Sequence, residues 1–188
     1  MAFLIAVVFA IVLMLKMPVS ADYEPVRTNK QLALHEAADI LRAAGFAEDS
    51  TEIKTLQAAW LQEQENLNII AKVIDNEASP AWCEWEHSVA VGAVVLNRVR
   101  SQWFPNSVKE VVAQPGQYLA SYTYGFDKTS RLAYEAAKAA LDGDHDVPSN
   151  AYWQDNTVQG VYVWKSFILD TGWFRSTTYI CCGIPGVD

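Results

Sequence analysis

Glu77 closes a strongly apolar stretch, and its position predicts chemistry. Ile69, Ile70, Ala71, Val73 and Ile74 place apolar side chains around much of one helix, so that helix is expected to be central and buried. Glu77 follows Ile74 by three positions and Ile70 by seven, which puts it on the side of the helix they occupy. A carboxyl group there is expected to lose hydration, which raises its pKa and keeps a proton available near neutral pH. A general acid for glycosidic cleavage needs that property. Asp75 points well away from it by helical spacing. Gln114 and Gln117 lie in a polar loop broken by Pro115-Gly116. An amide that both donates and accepts can hold a sugar hydroxyl or an N-acetyl group, or can simply stabilise its own loop.

Aromatic side chains add a second theme: the chain carries 7 Trp, 8 Tyr and 7 Phe. Trp82 and Trp85 are equally suited to stacking on sugar faces and to core packing. Tyr122, Tyr124 and Tyr152 are weaker candidates for such contact. Trp164 and Trp173 read as core. His87, next to Glu86, is expected at the surface before a helix, where it can tune its neighbour's charge. Asp142, Asp144 and Asp146 alternate as in the opening of a calcium loop. Val147 and Trp153 occupy the positions where such a loop needs Gly and Glu, so a plain acidic loop is the better reading. The three histidines are scattered and no CxxC pair occurs, so neither a metal site nor a cofactor is expected.

The elements that position these residues follow from pattern and punctuation. Asn29 to Glu65 reads as a helical hairpin, with Gly45 as a cap and Asp49 with Glu52 opening the second helix. Val89 to Val99 (VAVGAVVLNRV) is the most apolar internal run and is expected to form a buried helix reaching about Trp103. Asn106 or Ser107 caps a short helix through Val112. Thr129 or Ser130 opens an Ala-rich helix that ends at Gly143. Beyond Pro148, Ala151–Trp153 and Val161–Trp164 read as short strands around a turn-rich segment. The fold class is therefore α+β, mostly α, with a small late β element preceded by a helical hairpin.

At the amino terminus, fourteen apolar residues from Ala2 to Leu15 are too few for a bilayer-spanning helix, which needs about 20, and fit a signal peptide. Val19-Ser20-Ala21 supplies the small-residue cleavage pattern, so export with cleavage after Ala21 is expected. An uncleaved membrane anchor is the alternative, and the only route to membrane association. The division is then 1–21 signal, 22–65 leader and hairpin, 66–188 catalytic domain. In an oxidising compartment Cys83 pairs with Cys181 or Cys182, or all three stay free thiols. In 188 residues, 14 Lys and Arg face 22 Asp and Glu, a net charge of −8, which argues against nucleic-acid binding. A hydrophobic share of 51% with 19% charged residues argues against disorder.

The segment from Ile70 to Gln117 resembles the spore-cortex-lytic (SleB-type) cell-wall hydrolase family. The matching stretches are Asn76-Glu77-Ala78, VAVGAVVLNRV from Val89, WFPNSVKEVV from Trp103, and Gln114-Pro115-Gly116-Gln117-Tyr118, where Tyr118 replaces a usual Phe. Leu141-Asp142-Gly143 and Asn150-Ala151-Tyr152-Trp153 fit the family's C-terminal half. The resemblance implies a lysozyme-like domain that cuts the glycan strand of peptidoglycan outside the cytoplasm, working as a monomer. Glu77 matches the family's catalytic Glu, and the implied chemistry is lytic transglycosylation by one carboxyl group without a metal. Gln117, Tyr118, Glu86 and Tyr152 are the candidate substrate-binding positions. Between Ala78 and His87 the chain departs from the family: the segment is about two residues longer and lacks a Gly-Glu pair. The alternative is a wall-binding protein on the same fold whose chemistry has lapsed.

Overall fold

The computed structural model describes residues 25–118, 129–170, 172 and 174–187. The expected signal or anchor segment, Tyr122, Tyr124 and Trp173 lie outside them. Five helices and three strands occur among the described residues: α1 Asn29–Ala43, α2 Thr51–Glu77, α3 Trp85–Arg100, α4 Val108–Val112, α5 Arg131–Asp142, β1 Ala151–Asp155, β2 Tyr162–Asp170 and β3 Arg175–Cys182. The architecture is a mostly α, α+β fold.

α3 is the central element. Twelve of its residues, from His87 to Arg98, are buried, because both of its long faces are covered. One face, with Val91 and Val95, joins the core built from α2, α4 and α5 around Ile70, Ile74, Val111 and Ala137. The opposite face, Ala90, Ala93 and Val94, packs on Phe167, Ile180 and Cys182 of the sheet, with Trp164 at the margin. Gly92 permits the crossing of helices: a Cβ there would lie 2.8 Å from Ala140 Cβ and 3.1 Å from Ile70 Cγ2. Arg100 ends the helix before Trp103, which is half exposed.

The hairpin differs from its reading in the sequence in two respects. α2 runs unbroken for 27 residues from Thr51 to Glu77, through the polar stretch Gln62–Asn66. Ser50, rather than Asp49, caps it by accepting from the Ile53 amide. α1 packs along α2 through a polar interlock. Buried Glu63 accepts from Thr28 Oγ1 at 3.2 Å and Lys30 Nζ at 3.0 Å, and Gln31 donates to Gln64 at 2.9 Å. Thr28 and Gln31 also form a capping box. The Asn29 amide donates to Asp142 at 2.8 Å, tying the start of α1 to the end of α5.

Ser107, Ser130 and Gly143 cap α4 and α5 as their types predict. The sheet has the order β1-β3-β2, antiparallel throughout. Its central strand, β3, is the element that the sequence conceals: Arg175-Ser-Thr-Thr lacks apolar alternation because that half of the strand is only partly covered. The three cysteines are free thiols, with Cys83 packed on the helical core and Cys182 in the sheet core. No helix among the described residues is long and apolar enough to cross a membrane.

Candidate active site

The C-terminal end of α2 delivers Glu77 to a polar cleft of about 380 Å³. Arg98 from the last turn of α3, Gly116, Gln117 and Tyr118 from the loop after α4, and Gln154 and Asp155 from the end of β1 line it as well. Gly116 has φ +74°, and the Gln117 amide donates to the Gln114 carbonyl at 3.2 Å. Pro115-Gly116 is thus the centre of a tight turn whose second position requires a left-handed residue, and the turn presents Gln117 to the cleft.

Arg98 organises this wall. Its side chain is 1% exposed, lies 5.3–5.7 Å from the ring centres of Phe104, Tyr118 and Trp153, donates through Nε to the Tyr152 carbonyl at 2.6 Å, and donates through Nη1 to Gln117 Oε1 at 2.5 Å. Gln117 therefore commits its oxygen to the protein and keeps its NH2 group for a ligand. Burial lowers the guanidinium pKa, and the phenol of Tyr118 works the other way. Tyr118 is pushed up to about 12, first by burial; the charge of Glu77 adds to the rise and Arg98 opposes it. It remains a neutral phenol that donates to Gln154 Oε1 at 3.4 Å.

Glu77 is exposed rather than dehydrated. Its neighbours Ile74, Asp75 and Ala78 are buried, so the exposure is confined to the side of the helix end that faces the cleft. Asp155, the other carboxylate of the cleft, is engaged locally: Oδ1 accepts from the Thr157 amide and hydroxyl at 3.0 and 3.1 Å, and Oδ2 accepts from Gln159 at 2.6 Å. Arg98, Gln154, Asp155, Asn156, Gln159 and Thr178 are cleft residues that sequence reasoning did not select. Asp155 and Asn156 fall in the turn-rich segment between the two expected strands, and Arg98 in the VAVGAVVLNRV run.

Of the residues selected from the sequence, the structure gathers Glu77, Gln117 and Tyr118. Glu86 is elsewhere, in the first turn of α3, where both carboxylate oxygens accept from Lys165 Nζ of β2. It shares a separate depression with Asp144, His145 and Asp146. Tyr152 contributes its carbonyl to Arg98 and its ring to Phe104, 5.7 Å between centres. Gln114 holds up the turn through its backbone, and its side-chain oxygen is buried. His87 is buried, contrary to the surface position expected, and stacks on Phe167 with ring centres 4.6 Å apart. No group of three or more His, Cys, Asp or Glu among the described residues is placed to hold a metal ion.

The elements around the cleft, from the start of α3 to the middle of β3, coincide with a known family: the profile of the cell wall hydrolases matches residues 84–178, half of the chain. The chain belongs to the cell wall hydrolase family. Glu77 precedes the matched residues, whereas Arg98, Gln117, Tyr118 and Asp155 fall within them. The spore cortex-lytic enzyme of Bacillus subtilis (strain 168) is 29% identical over 101 residues, which cover 53% of this chain and 32% of that protein. The matched stretch thus spans about a third of that relative's length. No solved structure matches this cell wall hydrolase.

Proposed function

We propose that this cell wall hydrolase cleaves the glycan strand of peptidoglycan between N-acetylmuramyl and N-acetylglucosaminyl residues, as a lytic transglycosylase with Glu77 as its general acid and base. The observation that carries this reading is the pairing of Glu77 with an otherwise engaged Asp155 in one polar cleft. A hydrolase of the two-carboxylate type needs a second carboxylate free to attack or to activate water. Asp155 accepts from Thr157 and Gln159, which favours a reading in which one acid serves both halves of the reaction.

A strand lying across Glu77 excludes water from its exposed carboxyl group and favours the neutral acid. The acid proton passes to the glycosidic oxygen as the bond from C1 breaks. The resulting carboxylate takes the proton of the muramyl 6-hydroxyl while that oxygen bonds to C1, closing a 1,6-anhydro ring. Glu77 ends protonated, as it began, and no water is consumed. Gln117, with its oxygen held by Arg98, offers N–H donors to an acetamido carbonyl or a ring hydroxyl. Tyr118, a neutral phenol coupled to Glu77, keeps a polar but uncharged wall beside the acid. Glu86 and Tyr152 support the site at one remove, by fixing α3 to the sheet and by holding Arg98. The substrate implies export, with the apolar amino-terminal run as the signal or anchor, and the protein acts as a monomer without a cofactor.

Mass spectrometry of a purified cell-wall digest tests the reading. Anhydromuramyl ends are expected, and Glu77→Gln is expected to abolish them. Reducing ends carrying an added water would replace transglycosylation by hydrolysis. Wall binding with no soluble fragment released would leave a binding protein.

A further inference from the structure

Glu77 is also a wall of a second depression, of about 450 Å³, and it is the one residue that this depression shares with the Gln117 cleft. Trp82 is its principal apolar surface. At 77% exposure, Trp82 is the most exposed of the large apolar side chains among the described residues. Cys83 and Leu169 extend the apolar lining, and no Lys or Arg among the described residues contributes to it.

The indole is presented on a braced turn. The Trp82 and Cys83 amides donate to the Ser79 carbonyl at 3.0 and 2.9 Å, and the Ser79 hydroxyl donates to Asp75 at 2.9 Å. The Ser88 hydroxyl grips the Ala78 carbonyl at 2.6 Å. Trp82 lies just before the residues that the family profile matches, 84–178. A flat, preorganised apolar surface with one N–H donor suits the face of a pyranose ring. The carboxylates of Asp75 and Glu77 line the depression and disfavour an anionic group such as the carboxylate of a stem peptide. A strand cut in its interior extends beyond the scissile bond on both sides, and this depression adjoins the Gln117 cleft at Glu77.

We infer that Trp82 and this depression form a second sugar subsite, across Glu77 from Gln117, which stacks one uncharged pyranose ring of the bound strand. The inference rests on the glycan reading above and adds the extent and chemistry of the groove to it.

The test is calorimetric titration of Glu77→Gln, which leaves the strand intact, with peptidoglycan glycan strands freed of stem peptides. Replacing Trp82 by Ala in that background is expected to weaken binding about tenfold, and Trp82→Phe to restore much of it, since a stacked ring contributes on the order of one decade. The exposed position allows both variants to fold, which circular dichroism checks. In the active protein, Trp82→Ala is expected to raise KM on the same strands and to leave kcat within about threefold, as loss of uniform binding does. Equal affinity of the Trp82→Ala and parent proteins would overturn the subsite and leave the glycan reading standing. If Glu77→Gln and the parent protein both fail to bind the strands, the glycan reading falls and the subsite with it.

Discussion

Asp75 pins Ser130: one carboxylate oxygen accepts the Ser130 amide at 2.7 Å and the other accepts its hydroxyl at 2.9 Å, across 55 residues of chain. The same carboxylate accepts from Ser79 at 2.9 Å, so the last turn of α2, the turn after Glu77 and the start of α5 meet at one side chain. An amide cannot accept at both ends. Asp75→Asn therefore leaves at least one of these partly buried donors unsatisfied and is expected to cost about 1–3 kcal/mol. Chemical denaturation measures the loss. A drop in kcat beyond the fraction unfolded is expected as well, because the end of α2 that carries Glu77 loses its anchor. Unchanged stability in Asp75→Asn would show that the network does not bind these elements together.

Gly92 is a packing residue. Ala140 Cβ would lie 2.8 Å from a Cβ at position 92, closer than carbon atoms approach without displacement. Gly92→Ala is expected to destabilise the protein by about 1–3 kcal/mol, the usual cost of overpacking. The clash is chiefly with one methyl group, so Ala140→Gly is expected to restore part of the loss. The double variant is then more stable than the sum of the single effects predicts. Thermal unfolding of the four proteins checks the coupling, and strict additivity would mean that the helices adjust elsewhere.

The parts of this fold that were legible are those with local causes. Ser107, Ser130 and Gly143 mark helix ends because capping depends on a few neighbouring backbone groups. VAVGAVVLNRV announced a buried helix because both faces are covered. The illegible parts depend on distant partners. β3 is central, yet its first half is polar because coverage there comes from the tertiary arrangement. Glu86 has the type and spacing of a site residue, but Lys165 claims it from 79 positions away. Glu77 ends the apolar helix, but it is exposed, because the burial of a side chain is set by what the rest of the fold packs around it. Asp155 entered the cleft unannounced, since the end of β1 reaches Gln117 only through the paired sheet.

Arg98 holds Gln117, and the two are expected to separate in kinetics. Gln117→Ala removes a donor that faces the cleft and also the acceptor of Arg98 Nη1, so KM on wall glycan is expected to rise several-fold with a smaller change in kcat and a modest loss of stability. Arg98→Lys is more damaging. A lysine cannot reproduce the planar contacts with three rings together with bonds to Tyr152 and Gln117, and a buried cation is left with fewer partners. A loss of about 2–4 kcal/mol in stability is expected, of the order seen when buried charge networks are broken. Steady-state kinetics with parallel denaturation curves checks both. Equal effects of the two variants on stability would contradict the assignment.

His87 makes stability depend on pH. Burial lowers its pKa to about 4, and its ring stacks flat on Phe167 with Nε2 enclosed. The unfolded chain holds the His87 proton below about pH 6.5, whereas the folded chain refuses it until about pH 4. Between these values the unfolded state binds more protons, so stability falls as the pH is lowered through the window and levels off below it. The full difference is on the order of 3 kcal/mol. His145 is lowered in the same direction, chiefly by burial with the nearby Arg100 charge contributing, and adds to the slope. His87→Phe keeps an aromatic ring against Phe167 and removes the titration. It is expected to flatten, though not abolish, the fall in denaturation midpoint between pH 6.5 and 4, and an unchanged slope would remove His87 as its source.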